Sequence, residues 1–449
     1  MERGAKRKRY LLGASAVIAL ALASGSCRKE VSTQGFLAED AAQRVYVPPG
    51  KYDEFYAFLS GGFSGQVAVY GLPSGRLLRV VPVFAVNPEN GYGFSEETKA
   101  LLMTSHGFIP WDDYHHPELS QTNGVPDGRW LFGNSNNTPR IARTDLTTFQ
   151  TVEILEIPNS GGNHASPFVT PDTKYVVSAT RFSVPVPQRD VPIQSYKENF
   201  KGTLNFIAVD PQTGRMKIAF QLLVPGFDYD LAHCGKGPSY GWCFFTSYNT
   251  EQAHTLLEIR ASQNDKDFIA AVNWKRAEEC LSQGKGQTWP AEYYHNVYDE
   301  DRHLAESEVK REVTVLEAAA CPGVIYYLPT PKSPHGVDVD PSGEYIVGGG
   351  KLATVIPVHS FSKMQKAIAE NREKLEKWED LCRSIGEEPA NVALAWLLTR
   401  PAVTAPTYQE ITFSNPQILE LAAEHLLAVN PSVTVSAITA RGSWPFACW

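Results

Sequence analysis

The sequence predicts a mainly β protein of the β-propeller type, followed by a short helical tail. The first observation is the high content of residues that break regular structure. The chain has 34 glycines and 31 prolines spread over 449 residues, which suits short strands and turns better than long helices. The second is a set of short runs that read as strands, and the third is a strand–turn–strand phrase that recurs along the chain. Hydrophobic residues make up 43% of the chain, which excludes wholesale disorder.

The strand-like runs are bounded by glycine, proline, aspartate or asparagine, the residues that commonly form turns. We expect a strand at each of these runs. The runs are 66–70, 129–132, 151–155, 175–177, 206–209, 217–222 and 345–347.

The recurring phrase begins at Val69 (VYGLPSGRLLRVVPV), Ala142 (ARTDLTTFQTVEIL) and Ala208 (AVDPQTGRMKIAFQLL). In each case a strand is followed by a polar turn and a second strand. The starts lie about 65 to 75 residues apart, which is longer than a bare WD40 repeat but fits propeller blades with inserted loops. We therefore expect a hairpin at each phrase.

The first 27 residues have the order of a secretory signal peptide. Five basic residues lie between Arg3 and Arg9, and residues 10–26 are apolar or small and carry no charge. No Arg-Arg pair precedes the apolar run, which indicates general export and not twin-arginine export. Cys27 is either a lipidated cysteine, which would anchor the protein, or lies beside a simple cleavage site. We expect a periplasmic protein.

Charge and cysteine spacing argue against two classes of site. Forty-one basic and 49 acidic residues give a net charge of −8, so a large phosphate-binding face for nucleic acid is not expected. The seven cysteines contain no CxxC and no CxxxC pair, which argues against cysteine-based zinc or iron–sulfur sites. Export would permit disulfides, but the spacing does not indicate which cysteines pair.

Histidines precede several of the expected strands in a repeated way. His164 and His335 each lie just before a strand, a proline-containing turn and a second strand that begins with an aromatic residue. His115 and His116 also precede an expected strand, but more residues separate them from it along the sequence. Because the innermost strand of each propeller blade faces the central channel, histidines at the start of such strands would converge on one axis.

Converging imidazoles are good ligands for copper, zinc, iron and nickel. His115 and His116 are adjacent, so both can bind one centre only if the backbone is irregular there, and Pro117 supports that irregularity. Asp113 is placed to orient an imidazole by accepting its second N–H. The other histidines show no such placement, and a polar role without metal is expected for each. They are His106, His233, His254, His295, His303, His359 and His425.

At these residues the sequence resembles nitrous-oxide reductase. The resemblance rests on long motifs in family order between about residue 46 and about residue 366, above all HGFIPWDDYHHPELSQTNG from His106 and IPNSGGNHASPF from Ile157. Further matching segments are GGFSGQVAVYGLPSGR, NTPRIARTDLTTF, FTSYNTEQA, NDKDFIAAVNWK and PKSPHGVDVDPSGEYIVGGGKL.

The resemblance implies a seven-bladed propeller whose axis holds a four-copper sulfide cluster bound by seven histidines. His115, His116, His164 and His335 fall on the first four of these ligands. Asp113 falls on an acid close to the cluster, which we take as the candidate catalytic residue.

The resemblance also implies a calcium site, a substrate and partners. Its calcium ligands would be Tyr248, Glu251, Asp265 and the backbone carbonyl of Ile259, and such hard oxygen ligands suit calcium. The implied reaction reduces N2O to N2 and water in denitrification, with a c-type cytochrome as electron donor. The implied assembly is a homodimer.

The sequence also departs from this family. After His335 no motif matches the remaining three cluster histidines, and the cysteine-rich motif of the family's dinuclear copper centre is absent. Residues 46–367 therefore predict a partial seven-bladed propeller of about four blades. A chain of this kind is expected to be inactive alone, and the alternative function is a non-catalytic periplasmic propeller fragment with weak or no copper binding.

From residue 368 to residue 449 the pattern becomes helical. The segment EEPANVALAWLLTRPAVTAP from Glu387 resembles the C-terminal end of an aldo/keto reductase barrel. The catalytic tyrosine, lysine, aspartate and histidine of that family lie upstream in its barrel and have no counterpart here, so an aldo/keto reductase activity is not expected. We expect a helical appendage without activity, and a join between two gene fragments would explain the change of pattern.

Overall fold

The fold was analysed in a computed structural model of the chain. It describes residues 38–187, 191–195, 199–225, 227–250, 267–293, 312–331, 333–350, 354–386, 410–412 and 443–445. Strands are the main regular element among these residues, and four α-helices accompany them. The helices are α1 (Ala38–Arg44), α2 (Glu96–Leu101), α3 (Trp274–Ser282) and α4 (Phe361–Ile385).

Twenty-five strands are described, most of them between three and eleven residues long. In chain order they are β1 (Phe55–Ser60), β2 (Gln66–Leu72), β3 (Leu77–Pro82), β4 (Met103–Thr104), β5 (Gly107–Phe108), β6 (Tyr114–Thr122), β7 (Val125–Ser135), β8 (Arg140–Asp145), β9 (Gln150–Glu156), β10 (Ala165–Val169), β11 (Tyr175–Ala179), β12 (Val184–Pro185), β13 (Phe200–Val209), β14 (Met216–Pro225), β15 (Phe227–Cys234), β16 (Trp242–Thr250), β17 (Phe268–Asn273), β18 (Gln287–Pro290), β19 (Glu312–Glu317), β20 (Ile325–Pro329), β21 (Val337–Val339), β22 (Tyr345–Gly348), β23 (Val358–Ser360), β24 (Glu410–Thr412) and β25 (Ser443–Pro445).

Five sheets, here called sheets I to V, follow one another along the chain. Sheet I is β1-β2-β3, sheet II is β6-β7-β8-β9, sheet IV is β15-β16-β17-β20 and sheet V is β21-β22-β23. Sheet III is larger, with the order β10-β11-β13-β14-β19-β18 and β12 beside β13. The pairings are antiparallel except for β14 with β19. Sheets I, II, IV and V are antiparallel sheets of three or four strands, of the kind that forms a propeller blade. Sheet III contains such a meander in β10-β11-β13-β14, and β18 and β19 extend it through the parallel pairing.

The first strands of the five sheets lie side by side. β6 contacts β1 and β10, and β15 contacts β10 and β21. The innermost strands therefore follow an arc in chain order, as in a propeller whose blades are arranged around an axis. The chain is mainly β and forms part of a propeller, which confirms the predicted fold class.

The predicted strands and hairpins are confirmed individually. Each of the seven strand-like runs lies within a strand, and the three recurring phrases form the hairpins β2–β3, β8–β9 and β13–β14. The alternation in β2 explains why. Val67 and Val69 point to one face and are buried, whereas their neighbours on the other face are partly exposed, which is the period-two pattern of a half-buried strand.

Packing between neighbouring sheets supplies the core. Between sheets III and IV, Phe206 stacks on Phe220 with ring centroids 4.7 Å apart and meets Phe245 edge-on at 6.4 Å. Val67 and Val69 of sheet I pack with Tyr114 of sheet II in a separate buried cluster. Each interface therefore fixes the position of one innermost strand relative to the next.

The outer face of sheet I is apolar and exposed. Phe55 and Leu72 are cross-strand partners in β1 and β2, and they are 63% and 42% exposed. Leu59 and Leu77, on the same sheet, are each 52% exposed. In a closed propeller every blade is covered on both faces, so this open face marks one end of the arc.

Two disulfides are formed within the described part of the chain, at sheet IV and at the helix α3 next to it. Cys234–Cys243 joins the paired strands β15 and β16 across a separation of 9 residues. Cys280–Cys321 joins α3 to the segment before β20 across 41 residues. Neither pair could be deduced from the sequence, because the partners share no motif.

We expect the second disulfide to contribute more stability than the first. Loop-closure entropy gives about 4 kcal/mol for a loop of 41 residues and about 2.6 kcal/mol for one of 9 residues. Urea unfolding of the double variants C280A/C321A and C234A/C243A should show the larger loss in the first. A larger loss in C234A/C243A would mean that local packing, and not loop length, sets the contribution.

Helix α4 begins at Phe361, seven residues before the predicted start of the tail at residue 368. The Oγ of Ser360 accepts a hydrogen bond from the backbone N–H of Lys363 and caps the helix. Phe361 and Met364 are buried in one cluster with Trp242 of sheet IV. The first turns of α4 therefore pack on the propeller. Gly386, in a left-handed conformation, ends the helix.

The predictions for both ends of the chain lie largely outside the described residues. They concern the signal segment 1–27 with Cys27 and most of the tail after residue 386. Within the described part of the chain, no helix has the length and apolar character needed to cross a membrane.

Candidate metal centre

Four histidines meet where the innermost strands of sheets II, III and V begin. His115 and His116 are the second and third residues of β6, His164 directly precedes β10, and His335 lies two residues before β21. The ring centroids of His115 and His116 are 5.1 Å apart, and each lies 5.5 Å from that of His164. The His335 ring is 6.3 Å from that of His164. The structure thus brings the four predicted histidines together.

The backbone at the histidine pair is irregular, as predicted. His116 has a φ of 40°, a left-handed conformation that is costly for a residue with a Cβ atom. The β6–β7 register shifts between His115 and Glu118, which describes a β-bulge at His116 and Pro117. The bulge allows adjacent side chains, which would otherwise point to opposite faces, to approach the same point.

Three of the histidines offer nitrogens at a spacing suited to a metal. One ring nitrogen from each of His115, His116 and His164 lies within 4.8 Å of the others. His335 is more open, with 42% of its side chain exposed. The described site is therefore enclosed on the side of sheets II and III and open on the side of sheet V.

Asp113 lies behind His115. Its Oδ1 is 3.0 Å from Nδ1 of His115, and its Oδ2 accepts a hydrogen bond from Nδ2 of Asn136 at 3.0 Å. The carboxylate is buried. A carboxylate in this position favours the tautomer in which Nδ1 carries the proton, so that the lone pair is on Nε2.

Asp230 lies against Nδ1 of two histidines, as Asp113 does against His115. It was not identified from the sequence. Its Oδ1 lies 3.1 Å from Nδ1 of His164, and its Oδ2 lies 3.0 Å from Nδ1 of His335. It belongs to β15, the innermost strand of sheet IV, and is fully buried. A single aspartate within a strand carries no motif. One signal was available. The innermost strand β15 lies between those that follow His164 and His335, and near its start it has Asp230 where they have a histidine.

Burial keeps the enclosed imidazoles neutral. Loss of solvent lowers the pKa of His116 to about 4, with smaller contributions from His115 and His335. Burial lowers the pKa of His164 to about 2, followed by repulsion from Arg181 and the neighbouring histidines. Neutral imidazole is the form that binds metals, so both rings can act as ligands at neutral pH without first losing a proton.

These shifts predict how the stability of the metal-free protein depends on pH. The pKa values of His116 and His164 are lower in the folded state than the ordinary value of 6.5, so the unfolded chain binds more protons below that pH. The free energy of unfolding should fall as pH decreases from 6.5 towards 4, by about 1.4 kcal/mol per pH unit for each histidine. Urea unfolding at several pH values measures this slope. His164→Gln should reduce it, and an unchanged slope in that variant would contradict the assignment.

His233, which is described, lies outside this site, and most of the predicted calcium ligands are not described. His233, in β15, has its Nδ1 3.1 Å from Oδ1 of Asp338 and its ring stacked on Phe168. The predicted calcium ligands Glu251, Ile259 and Asp265 lie outside the described residues, as do His254 and His303. Tyr248 is in β16, but its side chain is not described.

Comparisons with known proteins agree with the motifs. No family model matches the chain. Nitrous-oxide reductase of Pseudomonas fluorescens is 30% identical over 370 residues, which are 81% of this chain and 53% of that protein. Nitrous-oxide reductase of Stutzerimonas stutzeri is 30% identical over 372 residues, with the same coverage of each chain.

A shorter match concerns another protein. The "Uncharacterized oxidoreductase YrpG" of Bacillus subtilis is 51% identical over 58 residues, or 13% of this chain and 18% of that protein. Over most of its length the chain resembles nitrous-oxide reductase, as its motifs predicted, and it spans about half the length of the curated relatives that it matches.

Proposed function

We propose that the chain holds copper with His115, His116, His164 and His335 and that its propeller serves the reduction of N2O to N2 and water. The observation that carries this proposal is the set of three ring nitrogens within 4.8 Å of one another, with buried carboxylates behind the histidines. The similarity to nitrous-oxide reductases supports copper as the metal.

The residues at this site suit bound copper. Nε2 of His116 is buried and makes no hydrogen bond within the described part of the chain, which is costly for a polar atom unless a ligand takes it up. Imidazole nitrogens suit copper. Bound copper would supply the electrons for the reaction and a surface on which the weak ligand N2O can bind.

The contributions of the protein follow from the contacts. Asp113 and Asp230 lie 3.0 to 3.1 Å from Nδ1 of three imidazoles, where a carboxylate would favour a proton on Nδ1 and leave Nε2 free to bind copper. The bulge at His116 sets the angle between two adjacent ligands. The burial of His116 and His164 limits water on one side, while the exposed His335 leaves an entrance on the other. Reduction of N2O consumes two protons and two electrons, and Asp113 is the candidate residue to handle a proton.

A reconstitution experiment tests this function. The purified chain would be loaded with copper and sulfide, dialysed, analysed for metal and assayed for N2O consumption with a reduced viologen. The viologen delivers electrons directly, so the assay does not depend on a separate electron-entry centre. We expect retained copper and turnover far below that of the Pseudomonas fluorescens enzyme. Loss of all copper on dialysis would reject the proposal.

The second candidate is a propeller fragment that binds copper without catalysis. The exposed His335 and the open arc of sheets favour it, because a centre open on one side holds a reactive ligand less firmly. Retained copper with no N2O turnover above that of His164→Ala would support this candidate. Turnover comparable to that of the relative would exclude it and would also overturn the expectation that the chain is inactive alone.

Several finer assignments belong to the same proposal. The propeller would occupy residues 46–367 and the helical tail residues 368–449. The protein would be exported to the periplasm, with Cys27 either lipidated or next to the cleavage site. Calcium at Tyr248, Glu251, Asp265 and the carbonyl of Ile259, a c-type cytochrome donor and a homodimer rest on the resemblance. N-terminal sequencing and metal analysis of the extracytoplasmic protein would test export and calcium together.

A further inference from the structure

Two adjacent carboxylates before the histidine pair face different partners. Asp113 lies against His115, as described above. The Asp112 carboxylate is equally buried but contacts the turn between β7 and β8. It accepts hydrogen bonds from the backbone N–H of Thr138 at 2.7 Å and of Asn137 at 3.2 Å, and from the hydroxyls of Ser135 and Thr138. Asp112 therefore ties the chain ahead of β6 to the far end of β7.

A buried arginine completes this network. Arg140 has no exposed side-chain surface, and its Nη2 lies 3.8 Å from Oδ2 of Asp112. Its Nε donates to Oγ1 of Thr138 at 2.8 Å, and its Nη1 donates to the carbonyl of Ile109 at 3.1 Å. The guanidinium also lies over the ring of Phe84, 4.9 Å from its centroid. Burial lowers the pKa of Arg140 to about 10, a shift that the charge of Asp112 opposes, so the arginine remains charged at neutral pH.

The network holds the segment that leads into the bulge. Arg140 fixes the backbone at Ile109, and Asp112 fixes the position immediately before Asp113. His116 follows in a left-handed conformation, and such strained residues persist only where the surrounding structure over-determines them. Backbone hydrogen bonds also hold this segment, from the N–H of Asp112 to the carbonyl of Phe84 and from that of Tyr114 to the carbonyl of Gly62, both at 2.9 Å. The side chains of Asp112 and Arg140 add the contacts to the turn between β7 and β8.

We propose that Asp112 and Arg140 are positioning residues that set the geometry of His115 and His116. This inference rests on the proposed copper function. Neither residue would touch the metal, since both side chains face the turn of sheet II. Their removal is expected to change how the two imidazoles converge without removing any ligand.

The test compares Asp112→Asn and Arg140→Met with a matched control. Asp127→Asn serves as control because Asp127 is another carboxylate of sheet II with an arginine partner, Arg129 at 2.7 Å, and with hydroxyl donors Ser120 and Thr122. It lies at the other end of the β6–β7 hairpin. Copper affinity would be measured by chelator competition and copper geometry by electron paramagnetic resonance. We expect copper binding to weaken about tenfold to 100-fold in both test variants, as when groups behind metal ligands are removed, and to stay unchanged in Asp127→Asn.

A second readout does not depend on the metal. Modification of the metal-free protein by diethyl pyrocarbonate, followed by mass spectrometry, reports the access to each histidine. We expect faster modification of His115 and His116 in Asp112→Asn and no change in Asp127→Asn. If the wild-type protein binds no copper, the proposed function fails, and this readout still decides the positioning role.

Each single variant leaves a buried charge without its partner, which destabilises the fold, so the double variant D112N/R140M is included. It leaves no unpaired buried charge, which makes it the variant best suited to remain folded. Circular dichroism and the Tm would establish folding. Wild-type modification rates together with wild-type copper affinity in any folded test variant would overturn the inference.

Discussion

Replacing His164 with alanine is expected to remove copper from the site. His164 is the central member of the cluster, with ring contacts to His115, His116 and His335. Its loss deletes one ligand and opens the gap between the histidine pair and His335. We expect affinity for copper to fall by about 100-fold or more, above the range for groups that only support a ligand. Chelator competition with the metal-loaded protein would measure the change.

His233→Ala is the matched control for this experiment. His233 is also on an innermost strand, but its Nδ1 is engaged with Asp338 and not with the cluster. It should retain copper at the wild-type level. Equal losses in both variants would mean that copper binds elsewhere or that both changes disturb the fold, and the assignment of His164 as a ligand would be withdrawn.

The change Asp230→Asn is expected to weaken copper binding through two ligands at once. One buried carboxylate lies against Nδ1 of both His164 and His335. An asparagine has only one acceptor oxygen and places an N–H₂ group against the other imidazole. At least one imidazole would therefore change tautomer or turn away, and copper affinity should fall by about tenfold to 100-fold.

Asp338→Asn provides the comparison for Asp230→Asn. Asp338 also lies against a histidine Nδ1, that of His233, but it is exposed and outside the cluster. Copper binding should be unaffected in that variant, and the electron paramagnetic resonance spectrum of the loaded protein should change only in Asp230→Asn. An unchanged spectrum in a folded Asp230→Asn protein would show that Asp230 does not orient the ligands.

The parts of the structure that depend on local pattern could be predicted from the sequence. The alternation of Val67 and Val69 and the turn residues between β2 and β3 define a hairpin without further information. His115, His116 and His164 could be identified because each lies in a long, unusual motif, and Pro117 indicated the irregular backbone. Their convergence required only that innermost strands share one axis.

Other features depend on tertiary placement and could not be predicted. Asp230 is a lone aspartate inside a strand, and it gains its role only when sheet IV brings it between two histidines. Nothing in the local pattern around Arg140 indicates burial, yet it is buried against Asp112. The start of α4 at Phe361 was missed because its first turns are set by packing against Trp242 and not by the charged helical pattern that follows.

The open face of sheet I has a consequence for biosynthesis. Phe55, Leu59, Leu72 and Leu77 are translated long before sheet V, whose last strand ends at Ser360. At about 5–20 residues per second the ribosome needs on the order of tens of seconds to add the intervening chain, and these side chains stay uncovered even once the five sheets have formed. A nascent chain with such a surface is a substrate for chaperones that bind apolar strands. The yield of folded protein should therefore depend on chaperone capacity more than on the stability of the individual sheets.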